Sequence, residues 1–146
     1  LVVEPAWIAR ELRLSGVLAD IGSGNGSPGI PMHALSELCR THLVEVRAKR
    51  AAFLRHLVRA LGLTGATVHR ARFEEMAPTL GRLDWITLQG VAPTEQLIDS
   101  IKRCSVETTT VVWITSGASR PKPKPQRTFQ VPITGTQVFL FKLDLS

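Results

Sequence analysis

Apolar positions along this chain change period repeatedly, and the changes divide it into short alternating elements. Val17–Ile21 is a compact apolar run ending in a glycine cluster, which predicts a strand buried on both faces. Pro31–Cys39 then spaces Met32, Leu35 and Leu38 along one side of a helix. His42–Val46 (HLVEV) returns to strand character and carries Glu45 near its end. Arg47–Leu61 sets Phe53, Leu54, Leu57, Val58 and Leu61 at helical spacing until Gly62 stops it. Ala66–His69 and Leu83–Leu88 read as a third and a fourth strand. Pro93–Cys104 opens on Pro, Thr and Glu, as a helix start should, and aligns Leu97, Ile98 and Ile101. Thr109–Thr115 is a fifth strand rich in β-branched residues. Thr128–Ile133 and Thr136–Leu143 flank Thr134-Gly135 and predict a closing hairpin.

Strands alternating with helices predict an α/β fold, a doubly wound and mostly parallel sheet with right-handed crossovers. With the hairpin added, the sheet has seven strands and finishes in an antiparallel pair. One domain is expected over residues 1–146, with 1–16 as an N-terminal helical remnant and 116–127 as a basic, proline-rich loop. That loop cannot be helical because Pro121, Pro123 and Pro125 alternate.

Composition narrows the class. At 44% hydrophobic and 21% charged, the 146-residue chain is neither disordered nor fibrous. No apolar run approaches the roughly 20 residues of a membrane span, and charges interrupt the first apolar stretch, so no secretory signal is read. The expectation is a cytoplasmic, soluble monomer without membrane contact. The chain begins at Leu1 rather than methionine, which suggests a fragment with something upstream. Cys39 and Cys104 have no CxxC partner, and His33, His42, His56 and His69 share no ligand spacing, so no metal is expected and both thiols are expected to be buried. The net charge of +6 favours a polyanionic partner.

Candidate chemistry concentrates after the first two strands, where open α/β sheets bind ligands. Asp20-Ile21-Gly22-Ser23-Gly24-Asn25-Gly26 exposes bare backbone, and Glu45 lies 25 residues beyond Asp20 where a carboxylate can accept hydrogen bonds from both ribose hydroxyls. Together they predict a pocket for an adenosine-bearing ligand. Gly24-x-Gly26-x-x-Gly29 also fits the dinucleotide fingerprint, but Pro28 and Pro31 are expected to delay the helix past the last glycine, which weakens that match. No G-x-x-x-x-G-K-[ST] phosphate loop is present.

Asp-x-Gly-x-Gly-x-Gly resembles the first motif of class I S-adenosylmethionine methyltransferases. LADIGSGNGSPGIP, then HLVEVRAKRAAFLRHLVRALGL, then Arg72-Phe73-Glu74-Glu75 resemble the glucose-inhibited division protein B family, the small-subunit rRNA guanine-N7 methyltransferases. The resemblance implies a Rossmann-like methyltransferase sheet, S-adenosyl-L-methionine as cofactor, and rRNA or a ribosomal subunit as partner. It implies that Asp20, Gly22, Ser23, Gly24 and Gly26 line the methionine end of the cofactor. Glu45, with Val46 beside it, would hold the ribose, and the Arg72–Phe73 backbone the adenine. The chain departs from the family at Leu88-Gln89-Gly90, where S-R-A is usual, and at Thr115-Ser116-Gly117, where L-K-G is usual. Two basic side chains expected to face RNA are therefore missing.

Guanine N7 exposes its own lone pair, so methyl transfer to it needs alignment rather than a general base. Gln89, with both a donor and an acceptor at the mouth of the fourth strand, is the candidate catalytic residue for orienting a base edge, or else a plain strand-end cap. Arg120, Lys122, Lys124 and Arg127 are the candidate RNA contacts, on an extended loop that presents charge to phosphates. Arg47, Lys49, Arg50, Arg55 and Arg59 form either an RNA-facing stripe or a solvated helix face. Two other functions share this sequence pattern: a methyltransferase for a small molecule or protein, and a non-catalytic RNA-binding relative.

Overall fold

A computed structural model of the chain describes residues 3–92, 94–116, 124–132 and 134–143. Its elements run α1 (Val3–Leu12), β1 (Ser15–Ile21), α2 (Gly29–Ala34), β2 (Glu37–Val44), α3 (Ala48–Ala60) and β3 (Ala66–His69). There follow α4 (Phe73–Met76) with a 3-10 turn at Ala77–Thr79, β4 (Trp85–Gln89), α5 (Glu95–Cys104), β5 (Thr110–Thr115), β6 (Arg127–Gln130) and β7 (Gln137–Phe141). All seven strands form one sheet in the order β3-β2-β1-β4-β5-β7-β6. β1 to β5 pair in parallel, and β7 enters antiparallel between β5 and β6. The expected α/β sheet with its antiparallel ending is what the chain forms.

Apolar side chains on the two sheet faces fix which helices pack where. Ala19, Ile21, Ile86, Leu88 and Trp113 meet Phe73, Met76, Leu97 and Ile101 from α4 and α5. On the other face Leu18, Val112, Ile114 and Val138 meet Ile8, Ala9 and Met32 from α1 and α2. Leu43 packs with Ile30 and with Leu54 of α3, joined by Leu57, Val58 and Val68. The order of strands reverses at β1, which has β2 on one side and β4 on the other. Open α/β sheets bind ligands at such a reversal, outside the carboxyl ends of the strands, here β1, β2 and β4.

Four expectations need correction. The helix expected over Pro31–Cys39 ends at Ala34, and β2 starts at Glu37 rather than His42. Ser36 Oγ donates to the Met32 carbonyl and closes the helix. Leu38 is buried, but as a strand residue paired beside Gly16, so apolar spacing alone could not separate the two readings. The helix after the glycine loop also begins at Gly29, not past it; Pro31 sits in its first turn, where a missing N–H costs nothing. Finally, Cys39 is exposed, its Sγ against the Gly16 carbonyl at 3.2 Å, while Cys104 is half-buried. The terminal strands are shorter than predicted, and Pro93 and Ile133 lie outside the described residues.

Candidate functional site

The loop between β1 and α2 is tied down from below. The Gly22 and Ser23 N–H groups both donate to the Val44 carbonyl, at 2.9 and 3.0 Å, anchoring the loop on the end of β2. Gly22, Gly24 and Gly26 all take positive φ, which bare residues adopt without strain. A Cβ on Gly24 would meet nothing closer than 3.8 Å, so this glycine shows open backbone to the crevice. On Gly26 a Cβ would collide with Ile30 at 2.9 Å, so this residue is bare because the helix packs close. The side chain of Val91, after β4, comes within 2.9 Å of where Gly22 would carry one.

Asp20 and Ser23 lie under this loop with no exposed surface. Asp20 Oδ1 accepts from the Thr87 hydroxyl at 2.8 Å and Oδ2 from the Gly29 N–H at 3.2 Å. Ser23 Oγ donates to the Asp20 carbonyl at 3.0 Å. Burial pushes the Asp20 carboxyl up to about 6, against the Thr87 and Gly29 hydrogen bonds that hold it down. The aspartate joins β1, β4 and α2 and braces the loop from beneath.

Glu45, one residue beyond β2, is 5% exposed. Its Oε2 accepts from the Gly24 N–H at 2.9 Å and its Oε1 from the Arg47 N–H at 3.0 Å. A carboxylate offers about four acceptor positions, so each oxygen retains one beside the open face of Gly24. Val46 next to it is 53% exposed and puts apolar surface at the same edge. The Glu45 N–H donates to the His69 carbonyl at 3.0 Å, which fixes this end of β2 to β3 and brings the turn at Arg72 into the neighbourhood. The Phe73 ring is committed to the core and Arg72 is exposed, its carbonyl accepting from the Glu75 and Met76 N–H groups at 3.1 and 3.4 Å.

Gln89 ends β4 two residues after Thr87, on the same side of the strand. Its Oε1 is buried and has no hydrogen-bond partner among the described residues. Lys124 is exposed, whereas Arg127 pairs with Glu11 of α1 at 3.0 Å and lies over the Phe129 ring at 5.2 Å. Arg120 and Lys122 lie outside the described residues.

Sequence reasoning missed Thr87 and Val91. The only signal for Thr87 was a hydroxyl inside an apolar strand, and its meaning depends on the pairing of Asp20 with Thr87 across β1 and β4. It also missed His42 and His69, whose Nδ1 and Nε2 lie 3.0 Å apart. Burial, with charge at His69 and Arg40, lowers His42 to about 4. Among the described residues no group of three His, Cys, Asp or Glu side chains could hold a metal, and no helix is long and apolar enough to cross a membrane.

A family profile, GidB, described as rRNA small subunit methyltransferase G, matches residues 4–130. Ribosomal RNA small subunit methyltransferase G of Rubrobacter xylanophilus is 47% identical over 66 residues, covering 45% of this chain and 25% of that protein. Its namesake from Beutenbergia cavernae is 33% identical over 96 residues, 66% of this chain and 45% of that protein. The chain thus spans a quarter to under half the length of these curated relatives. Among solved structures, an rRNA methylase from Streptococcus thermophilus superposes with a TM-score of 0.68 at 14% identity, covering 97% of this chain and 95% of that one. A precorrin-6y C5,15-methyltransferase from Geobacter metallireducens gives 0.67 at 23% identity, covering 78% and 63%. Identities this low show a shared fold.

Proposed function

The chain belongs to the GidB family of rRNA small subunit methyltransferases G, and on that premise we propose that it binds S-adenosyl-L-methionine and methylates small-subunit rRNA at guanine N7. The observation that carries the reading is the Glu45 carboxylate, buried, fixed by the Gly24 and Arg47 N–H groups, and left with acceptor capacity beside open backbone. A nucleoside sugar with two adjacent hydroxyls is the ligand this arrangement fits. Val46 gives the adenine an apolar surface, and the Arg72–Phe73 main chain gives it hydrogen-bonding groups. Gly24 leaves room for the methionine end, while Asp20, Gly22, Ser23 and Gly26 hold the loop in the shape that makes that room.

When bound, the cofactor supplies an electrophilic methyl group on a sulfonium. The chain's own work is placement. Guanine N7 already carries a lone pair, so the rate depends on holding it in line. Gln89 offers the base a donor and leaves a buried acceptor whose desolvation is offset only when a ligand donor reaches it. A ribosomal-subunit substrate supports a cytoplasmic location, with the protein acting as a monomer without metal.

Calorimetry with S-adenosylhomocysteine tests the cofactor half. Wild type should bind, and Glu45→Ala should bind about 1.5–3 kcal/mol more weakly, the range for hydrogen bonds to a charged group. Unchanged affinity in the variant would remove Glu45 from the site. Transfer of labelled methyl to undermethylated small subunits, with release of 7-methylguanosine on digestion, tests the substrate half. Cofactor binding without RNA labelling would favour a small-molecule or protein substrate.

A further inference from the structure

The chain's positive charge is segregated to one region. Between Glu45 and Glu74 stand Arg47, Lys49, Arg50, Arg55, Arg59, Arg70 and Arg72, with no Asp or Glu among them. These are seven of the 18 Lys and Arg residues, which leaves eleven against twelve acidic residues everywhere else. The net +6 therefore belongs to α3 and the β3 edge alone. All seven are exposed, and none forms an ion pair among the described residues.

Helix stability accounts for Arg59, a cation in the last turn of α3, but not for the cations at its start. Its first turn holds no acidic residue and begins after Arg47 with Lys49 and Arg50, cations at the end of a helix where the backbone dipole disfavours them. α5 shows the opposite, stabilising arrangement, with Glu95 first and Lys102 and Arg103 last. The buried side of α3 is Ala51 and Leu54. Helical spacing puts Phe53, Lys49, His56, Arg59 and Arg55 in succession around the other side, where Phe53 is 47% exposed among the cations. An exposed aromatic ring among unpaired cations is the combination that holds a nucleic-acid strand, by charge along the backbone and by stacking on a base. The surface also starts at the crevice. An Arg50 guanidinium nitrogen comes within 3.8 Å of the position a Cβ would take on Gly24, and the 13 residues of α3 carry the charge about 20 Å onward.

We infer that the outer face of α3, continued by Arg70 and Arg72 past the sheet edge, is the surface that docks the substrate RNA's phosphate backbone, with Phe53 stacking on a base. The inference rests on the proposal that the substrate is RNA and assigns the anchoring to this face rather than to Lys124 and Arg127. Arg127 is already engaged by Glu11 and Phe129, which fits that division.

The test measures binding of a fluorescein-labelled RNA stem-loop over a range of KCl concentrations, with S-adenosylhomocysteine titration as the check on folding and on the crevice. Neutralising one phosphate-binding cation should reduce the slope of log affinity against log salt by about 0.7–0.9. The triple variant Lys49→Gln, Arg55→Gln, Arg59→Gln should lose about two slope units and bind at least about tenfold more weakly near 0.1 M salt, with cofactor affinity intact. Phe53→Ala should weaken binding about tenfold at unchanged slope, because stacking carries no counterion. Lys124→Gln with Arg127→Gln should leave the slope in place. The inference is overturned if the triple variant keeps the wild-type slope while binding S-adenosylhomocysteine, if the loop variant loses as much, or if the wild type binds phosphatidylserine vesicles and not RNA. If the wild type binds RNA through α3 but transfers no methyl group, the docking surface stands and the transferase reading fails. Methyl transfer to RNA that the triple variant leaves unaffected upholds the transferase reading and overturns the docking surface.

Discussion

Around Asp20, single atoms decide whether the glycine loop can exist. A Cβ on Gly29 would sit 2.5 Å from Asp20 Oδ2 and 2.5 Å from a Leu43 methyl, both held by the sheet, so neither can yield. Gly29→Ala should cost about 1–3 kcal/mol by overpacking and weaken cofactor binding by loosening the loop, which denaturant melts and calorimetry would show together. Wild-type stability in the variant would mean that the loop can shift. Gln89 makes the opposite trade. Replacing it by Leu removes a buried acceptor without a partner, so Gln89→Leu should gain about 1 kcal/mol of stability and lose at least about tenfold in methyl transfer. A variant both more stable and fully active would show that Gln89 only closes the strand end.

At the level of elements, the sequence signals that proved accurate are those made by neighbouring residues. The Pro-Thr-Glu run marks the start of α5 to within two residues, and the Thr94 hydroxyl caps it by accepting from the Leu97 N–H at 3.2 Å. Thr94→Ala should therefore cost about 1 kcal/mol, measurable as a lower denaturation midpoint, while Thr94→Ser should cost little. β3 has the bounds its sequence predicts, and the last two strands pair around Gly135 with positive φ as the hairpin signal requires. The boundary between α2 and β2 is not legible in the sequence, because Leu38 serves either period. β1 settles it, since its Ser15 and Gly16 pair with Glu37 and Leu38 before the register shifts.

Across the whole molecule, two buried groups oppose each other in acid. Asp20 titrates near 6 in the fold against 3.8 when free, so the folded chain holds this proton more tightly. Its contribution, roughly 3 kcal/mol, is full below 3.8 and is lost as pH rises through 6. His42 titrates near 4 against 6.5, so its contribution is full above 6.5 and is lost as pH falls towards 4. Between about 4 and 6 the two slopes offset. Asp20→Asn can still accept from Gly29 and can donate to Thr87, and it leaves His42 uncompensated. Denaturation across pH should then show equal or greater stability than wild type at neutral pH and a steeper loss below 6.5. Parallel curves would mean that Asp20 carries no excess proton.

Residues close along the chain encode, on their own, the alternation of elements, a glycine loop after the first strand, a carboxylate after the second, and a stretch from 46 to 73 without an acid. Folding adds what no such neighbourhood contains: Thr87, 67 residues from Asp20, holds its carboxylate, both oxygens of Glu45 clamp main chain, and Gln89 keeps an acceptor free. Those facts depend on strand order and register, which are set by how side chains from distant segments fill the two faces of one sheet. No local pattern records them, because the same residues in another register would point at different neighbours.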